Sequence, residues 1–341
     1  LEPADKKTTF GSLVIKSAPR IVELNRNAIF EILIIYVVVF MGCIIMYPSL
    51  LNHFSFIWNV YDLEATRISN VPSIFYALSQ ISINGARVTA ILYFVKKIDE
   101  SNIEENKKIF RLVIVSIVSI LVVSDNRAYT FFYAIALLIS IMVVYPNSQK
   151  VIKLIFGGML GIALFLLVGI ASKSYMSSES PIGILSQTLQ SYFQGSTNVA
   201  VALCLEPNDI SRMIPDIGKS VTGIAYFFQS HEDIKVGFNK FYYYNSLRSG
   251  QIIPYIGEGY VYFGFLLSPI LSCFVLRNAF KSARGVRFYD NLDIVFIQVF
   301  KTLIAVISLA MYTFTIYVSI YASMIIPMII TYLYSKFRYK S

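Results

Sequence analysis

The sequence predicts an all-α polytopic membrane protein with about eight or more transmembrane helices and a large, partly helical extracytoplasmic loop. Of its 341 residues, 56% are hydrophobic and 14% are charged, and the mean hydropathy is +0.63. A soluble core of ordinary size cannot bury so much apolar surface. The basic residues cluster at the ends of apolar segments, so the net charge of +9 does not favour a nucleic-acid partner.

The predicted spans follow from apolar runs long enough to cross about 30 Å of hydrocarbon. They occupy 28–49, 72–95, 109–124, 128–146, 152–171, 256–276, 292–312 and 313–334. No fixed-period repeat or low-complexity linker divides the chain. Residues 1–341 are therefore predicted to form one membrane domain in contact with the lipid bilayer, with 172–255 as its extracytoplasmic loop region.

Basic residues predict the orientation of these spans. Lys and Arg gather before the first span, after the second, beside the fifth, after the sixth and at the C-terminus. Cytoplasmic loops carry an excess of Lys and Arg. Both termini are therefore predicted to be cytoplasmic, and the segments 50–71, 125–127 and 172–255 to lie outside.

The loop 172–255 is much longer than a connection requires, which predicts a binding role. Aromatic side chains in and after it, including Tyr242, Tyr243 and Tyr260, suit glycans, because ring faces pack on sugar C–H faces and phenols bond to sugar hydroxyls. The alternative for each tyrosine is the aromatic belt at the bilayer interface.

Three external arginines are candidates for binding a diphosphate: Arg127 at the start of a span, Arg248 shortly before the next span, and Arg212 in the loop. Guanidinium groups bind phosphate oxygens bidentately and keep their charge in a poorly hydrated site. For Arg212 a solvated loop charge is the alternative.

Glu258 and His231 are the candidate catalytic groups. Glu258 lies between two glycines at the mouth of a predicted span, where a carboxylate is costly unless it faces a cavity; its alternative role is to stabilise a helix N-terminus. His231, followed by Glu232 and Asp233, is a possible base, with a solvated loop as the alternative. No second ligand cluster accompanies it, so no metal is predicted.

Two cations lie inside predicted spans. Arg87 is in the second span and Lys301 is near the middle of the seventh. Because a charge facing lipid is costly, both are predicted to face the interior of the bundle, with snorkelling as the alternative for Arg87.

These features together resemble the O-antigen polymerases, the Wzy type of bacterial oligosaccharide repeat-unit polymerase. The resemblance rests on the hydropathy layout, the long external loop, the Asp125-Asn126-Arg127 start of a span, and the glycine-flanked Glu258 with Tyr260. Members of this family usually have ten or more spans, which implies that helices precede Leu1.

The resemblance implies an inverting membrane glycosyltransferase of the bacterial inner membrane, with its active site facing the periplasm and without cofactor or metal. It would transfer a glycan from undecaprenyl diphosphate to a lipid-linked repeat unit, building O-antigen or capsule-type polysaccharide, with a chain-length regulator protein as a possible partner. Arg127, Arg248 and Arg212 would bind the diphosphate, and Glu258 or His231 would be the base. The alternatives are an O-antigen ligase, whose acceptor is a lipid-A core, and a non-enzymatic carrier of lipid-linked oligosaccharide.

Overall fold

A computed structural model describes residues 24–53, 71–121, 127–153, 155, 157, 196–207, 209–221, 224–228, 231–242, 252–311 and 313–340. Within these ranges the regular structure is helical and no strand occurs, which confirms the all-α prediction for the part of the chain described. The helices are α1 (Arg26–Met46), α2 (Ser73–Asp99), α3 (Glu105–Leu121), α4 (Arg127–Val144), α5 (Ser196–Ala202), α6 (Ile210–Ser220), α7 (Ile234–Tyr242), α8 (Tyr255–Phe263), α9 (Ile270–Val286), α10 (Leu292–Met311), α11 (Phe314–Ile320) and α12 (Ile326–Lys340). A π-helical turn, Tyr321–Ile325, joins α11 to α12.

Among the described residues, three helical stretches are long and apolar enough to cross a membrane: Arg26–Met46, Leu292–Ala310 and Phe314–Lys336. The predicted count of about eight spans is thus not confirmed. Helix α2 has 27 residues, but its buried centre is polar rather than apolar. The apolar part of α4 is short, and most of the predicted span 152–171 lies outside the described residues.

The predicted span 256–276 is wrong as a single helix. It is split into α8 and α9 at Gly264, which ends α8 with a φ of 75°. Positive φ is strained for residues with a Cβ, so glycine allows the chain to turn here. With nine residues, α8 is only about 14 Å long and too short to cross a bilayer.

The bundle is built by packing α1 on α2, α3 on α4, and α10 between α4 and α9. At its centre the Tyr133 and Phe300 rings stack with centroids 4.6 Å apart, and the Arg87 guanidinium lies 5.9 Å from the Tyr133 ring centroid. Arg87 is 3% exposed and its Nη1 donates to Asn84 Oδ1 at 3.0 Å. The prediction that Arg87 faces the interior is confirmed.

Polar contacts join several helix ends at one end of the bundle, which we call the basic end. Asn25 N–H donates to Ser335 Oγ at 2.6 Å, Arg26 lies 3.5 Å from Glu100, and Lys96 lies 3.9 Å from Asp293. These contacts bring together the start of α1, the end of α2, the start of α10 and the end of α12. Basic helix ends that the sequence assigns to one side of the membrane therefore lie close together in the fold. Their location on the cytoplasmic side stays a prediction.

Candidate functional site

Glu258 is fully buried and lies at the N-terminus of a neighbouring helix. Its carboxylate accepts hydrogen bonds from Phe314 N–H at 2.5 Å and from Thr315 Oγ1 at 3.0 Å, and these residues begin α11. The first N–H groups of a helix have no partner within the helix, and a carboxylate there is stabilising. The Glu258 carboxylate therefore links α8 to α11. This fits the alternative role of stabilising a helix N-terminus, but the stabilised helix is α11 and not α8, which carries Glu258.

The glycines on either side of Glu258 allow other elements to approach α8 closely. A Cβ at Gly259 would lie 1.9 Å from the Ser268 carbonyl oxygen, and one at Gly257 would lie 2.5 Å from Ala202 Cβ. Side chains at these positions are therefore excluded by the turn after α8 and by α5. The two glycines let these elements pack closely around α8, so Glu258 is buried inside the protein and is not exposed at its surface.

Burial also changes the protonation of Glu258, which lies on α8 outside the three candidate spans. Desolvation raises the pKa of its carboxyl to about 7, and the charge of Lys235 and the hydrogen bonds from Phe314 and Thr315 oppose this rise. Near neutral pH this group therefore changes between its acid and its carboxylate form.

Asp216, on α6, is the centre of a second polar cluster. It is fully buried and accepts three hydrogen bonds: Oδ1 lies 2.7 Å from His231 Nε2 and 3.2 Å from Ile234 N, and Oδ2 lies 2.8 Å from the Tyr262 hydroxyl. Tyr262 is on α8, one helical turn after Glu258. The Asp216 cluster therefore reaches α8 one helical turn away from Glu258.

Sequence reasoning missed Asp216. An acid in a polar segment resembles any solvated loop charge, and its partners lie 15, 18 and 46 positions away in the chain. The carboxylate is buried by the packing of α6 against other elements, among them α8, α11 and the start of α7. The sequence carries no local signal for this.

The hydrogen-bond partners of Asp216 assign the proton on His231. Burial, followed by the charges of Glu258 and Asp216, raises the pKa of the Tyr262 phenol, so this hydroxyl stays protonated and donates. The Asp216 carboxylate only accepts hydrogen bonds, and it already accepts from Ile234 N–H and from the Tyr262 hydroxyl. The His231 nitrogen that faces it is therefore a donor as well, which puts the ring proton on Nε2. Nδ1 of the neutral ring is then the acceptor, and the side chain is 22% exposed. This is the arrangement of a general base held by a carboxylate.

Cations from α6 hold the segment that carries His231. Arg212 Nη2 donates to the Glu232 carbonyl oxygen at 3.1 Å, and Lys219 Nζ donates to the His231 carbonyl oxygen at 2.8 Å. Lys240 donates to the Glu232 carboxylate at 2.6 Å and lowers the pKa of that group. Arg212 therefore contacts Glu232, the residue that follows His231. We call Asp216, His231 and Tyr262, with Arg212 and Lys219, the histidine site.

The remaining predicted binding residues are only partly described. Arg127 begins α4, but its side chain is not among the described parts of the chain. Arg248 and Tyr243 lie outside the described residues. Tyr242 ends α7 with its ring centroid 6.1 Å from that of Phe238, and Tyr260 lies on α8; both are half-buried against the core. Their roles in binding diphosphate or glycan stay predictions.

In the described part of the chain, no three His, Cys, Asp or Glu side chains are arranged to hold a metal ion. Comparisons of the chain with protein-family models, with curated proteins and with solved structures find no match.

Proposed function

We propose that this protein is a lipid-linked glycan polymerase in which His231 is the general base. The acceptor hydroxyl of a lipid-linked repeat unit gives its proton to His231 Nδ1 while its oxygen attacks the anomeric carbon of the donor glycan. The bond from that carbon to the polyprenyl diphosphate breaks, and the diphosphate leaves with the electron pair. The configuration inverts, and the acceptor gains the whole donor glycan.

The observation that supports this proposal is the pairing of His231 with a buried carboxylate beside a guanidinium. Asp216 fixes the ring through Nε2 and stabilises the imidazolium that forms after proton transfer, since opposite charges at 2.7 Å attract strongly when one of them is fully buried. Arg212, which donates to the carbonyl of Glu232, supplies positive charge next to the base. In the proposal, Arg127 and Arg248 join it on the leaving diphosphate.

His231 suits this role better than Glu258. A base must come within hydrogen-bond reach of the proton that it removes. Both carboxylate oxygens of Glu258 accept hydrogen bonds from α11, and the residue is fully buried. His231 keeps an exposed edge. Catalysis by Glu258 stays a prediction that substitution by glutamine tests.

In this proposal the enzyme works in a bacterial inner membrane with the histidine site on the periplasmic side, and it builds an O-antigen or capsule-type polysaccharide. The positive flanks at the basic end support that orientation by the positive-inside tendency. The undecaprenyl chain of the substrate lies in the bilayer while its diphosphate lies at the surface near the arginines.

The experiment uses purified protein in detergent and a polyprenyl-diphosphate-linked oligosaccharide repeat unit. We expect a series of products that differ by one repeat unit, together with released polyprenyl diphosphate. Transfer only to an added lipid-A core would indicate a ligase. Transfer to neither acceptor, with transport of the intact lipid-linked substrate across proteoliposomes, would contradict the proposal and favour a carrier.

A further inference from the structure

A cavity of about 910 Å³ lies between α9 and α10, away from the histidine site. Four basic side chains line it: Arg277, Lys281 and Arg284 from α9, and Lys301 from α10. None of the described residues that line it is acidic. Its volume lies within the range of small-molecule sites, roughly 300 to 1,000 Å³.

The three α9 cations form a row along one face of the helix. Positions 277, 281 and 284 are spaced by four and three residues, so their side chains lie above one another. At a rise of about 1.5 Å per residue, the row is about 10 Å long. This is longer than one phosphate group, and it suits a ligand with two negatively charged groups.

Lys301 lies on α10. It is half-buried within a candidate membrane span, and it lines the same cavity as Lys281. Among the residues that the structure describes, none of the four cations has a carboxylate within 4.0 Å. Several close positive charges without counter-charge, one of them in a span, are stabilised when an anion binds between them.

Apolar side chains border the same cations. Leu276 is 44% exposed, Phe280 is 58% exposed and Phe288 is 44% exposed, and all three line the cavity. A free inorganic anion would leave these faces uncovered. A lipid covers them with its acyl chains while its headgroup meets the cations.

We propose that this cavity binds a bilayer lipid whose headgroup carries two phosphates. Basic pockets between membrane helices bind such headgroups, and Arg and Lys together supply bidentate and point-charge contacts to phosphate oxygens. Arg284 lies in the last turn of α9, before the chain leads into α10, whose start lies at the basic end. Lipid binding here is independent of glycan transfer at the histidine site.

The test titrates the purified full chain with tetraoleoyl cardiolipin and counts bound lipids by native mass spectrometry. Phosphatidylglycerol, phosphatidylcholine and inorganic diphosphate are the comparison ligands. We expect cardiolipin to bind more tightly than phosphatidylglycerol, and phosphatidylcholine and diphosphate to bind weakly. Each cation that meets the lipid headgroup contributes roughly a fivefold change in lipid affinity, so Lys281→Gln with Arg284→Gln should weaken cardiolipin binding roughly 25-fold.

Arg287→Gln is the matched control, because Arg287 is exposed at the end of the same helix and does not line the cavity. We expect it to change cardiolipin binding less than about twofold, since general surface attraction is distributed over many charges. Arg277→Gln gives an independent variant if the double variant does not fold. An equal loss in Arg287→Gln, no loss in the cavity variants, or diphosphate binding as tight as that of cardiolipin would overturn the proposal.

Discussion

Replacing Asp216 separates its structural role from its role in proton transfer. In Asp216→Asn, the amide oxygen at the Oδ1 position still accepts from His231 Nε2 and from Ile234 N–H, which both contact Oδ1. The amide nitrogen at the Oδ2 position donates to the oxygen of Tyr262. The geometry is kept, and we expect a loss of about 1 kcal/mol in the free energy of unfolding.

The same substitution removes the negative charge that stabilises the imidazolium of His231. General base catalysis contributes about 10²- to 10⁴-fold, so we expect the rate of glycan transfer to fall on the order of 100-fold while the protein stays folded. Asp216→Ala differs: it leaves the buried Ile234 N–H and Tyr262 hydroxyl without an acceptor, at about 1 to 3 kcal/mol each. Its unfolding free energy should fall by about 2 to 6 kcal/mol.

The assay combines thermal unfolding in detergent with the rate of product formation per folded molecule, in the wild type and both variants. Asp216→Asn with the stability expected above and an unchanged rate would refute the role of the Asp216 charge in catalysis. A loss of folding in Asp216→Asn as large as in Asp216→Ala would refute the hydrogen-bond arrangement.

Three further predictions concern Glu258, the arginines and the topology. Burial raises the pKa of Glu258 from 4.5 in the unfolded chain to about 7 in the folded protein, so between these pH values the folded state keeps a proton that the unfolded state loses. The free energy of unfolding should therefore fall by about 3 kcal/mol as the pH rises from 4.5 to about 7. Glu258→Gln should abolish this dependence in unfolding measurements at pH 5 and 8 and keep the product series, whereas loss of all products at unchanged stability would make Glu258 the base. Arg127→Lys and Arg248→Lys should each lose most polymerisation at normal folding, because lysine cannot bind phosphate bidentately; near-normal products from both would move the diphosphate site elsewhere. The exposed Cys204 should react with a membrane-impermeant maleimide in intact cells, and a cysteine replacing the exposed Arg287 should react only after lysis; the reverse pattern would contradict the orientation.

Hydropathy predicts some of the helices well and fails where a local turn decides the structure. The predicted span 292–312 matches Leu292–Met311, where the sequence contains neither glycine nor proline to end the helix. The predicted span 256–276 is also a long, mainly apolar run, but Gly264 turns the chain and ends α8. A window average over hydropathy does not register one residue with a positive φ.

The candidate site could be predicted only in part for a similar reason. His231, Arg212 and Glu258 are chemically distinctive residues in a chain with few charges, so the sequence indicates them. The partners of Glu258 lie 56 and 57 positions away, and Asp216 is buried only by tertiary packing. Which candidates lie close together therefore depends on the fold and not on local sequence.

The most direct measurement compares the two histidines of the chain in the polymerisation assay. His231→Gln removes the proposed base, and His53→Gln, in the 3₁₀ turn that follows α1, is the matched control. We predict that His231→Gln lowers the rate of glycan transfer to a polyprenyl-diphosphate-linked repeat unit at least about 100-fold, while His53→Gln keeps the wild-type rate. Equal rates in the two folded variants would contradict the assignment of catalysis to the histidine site.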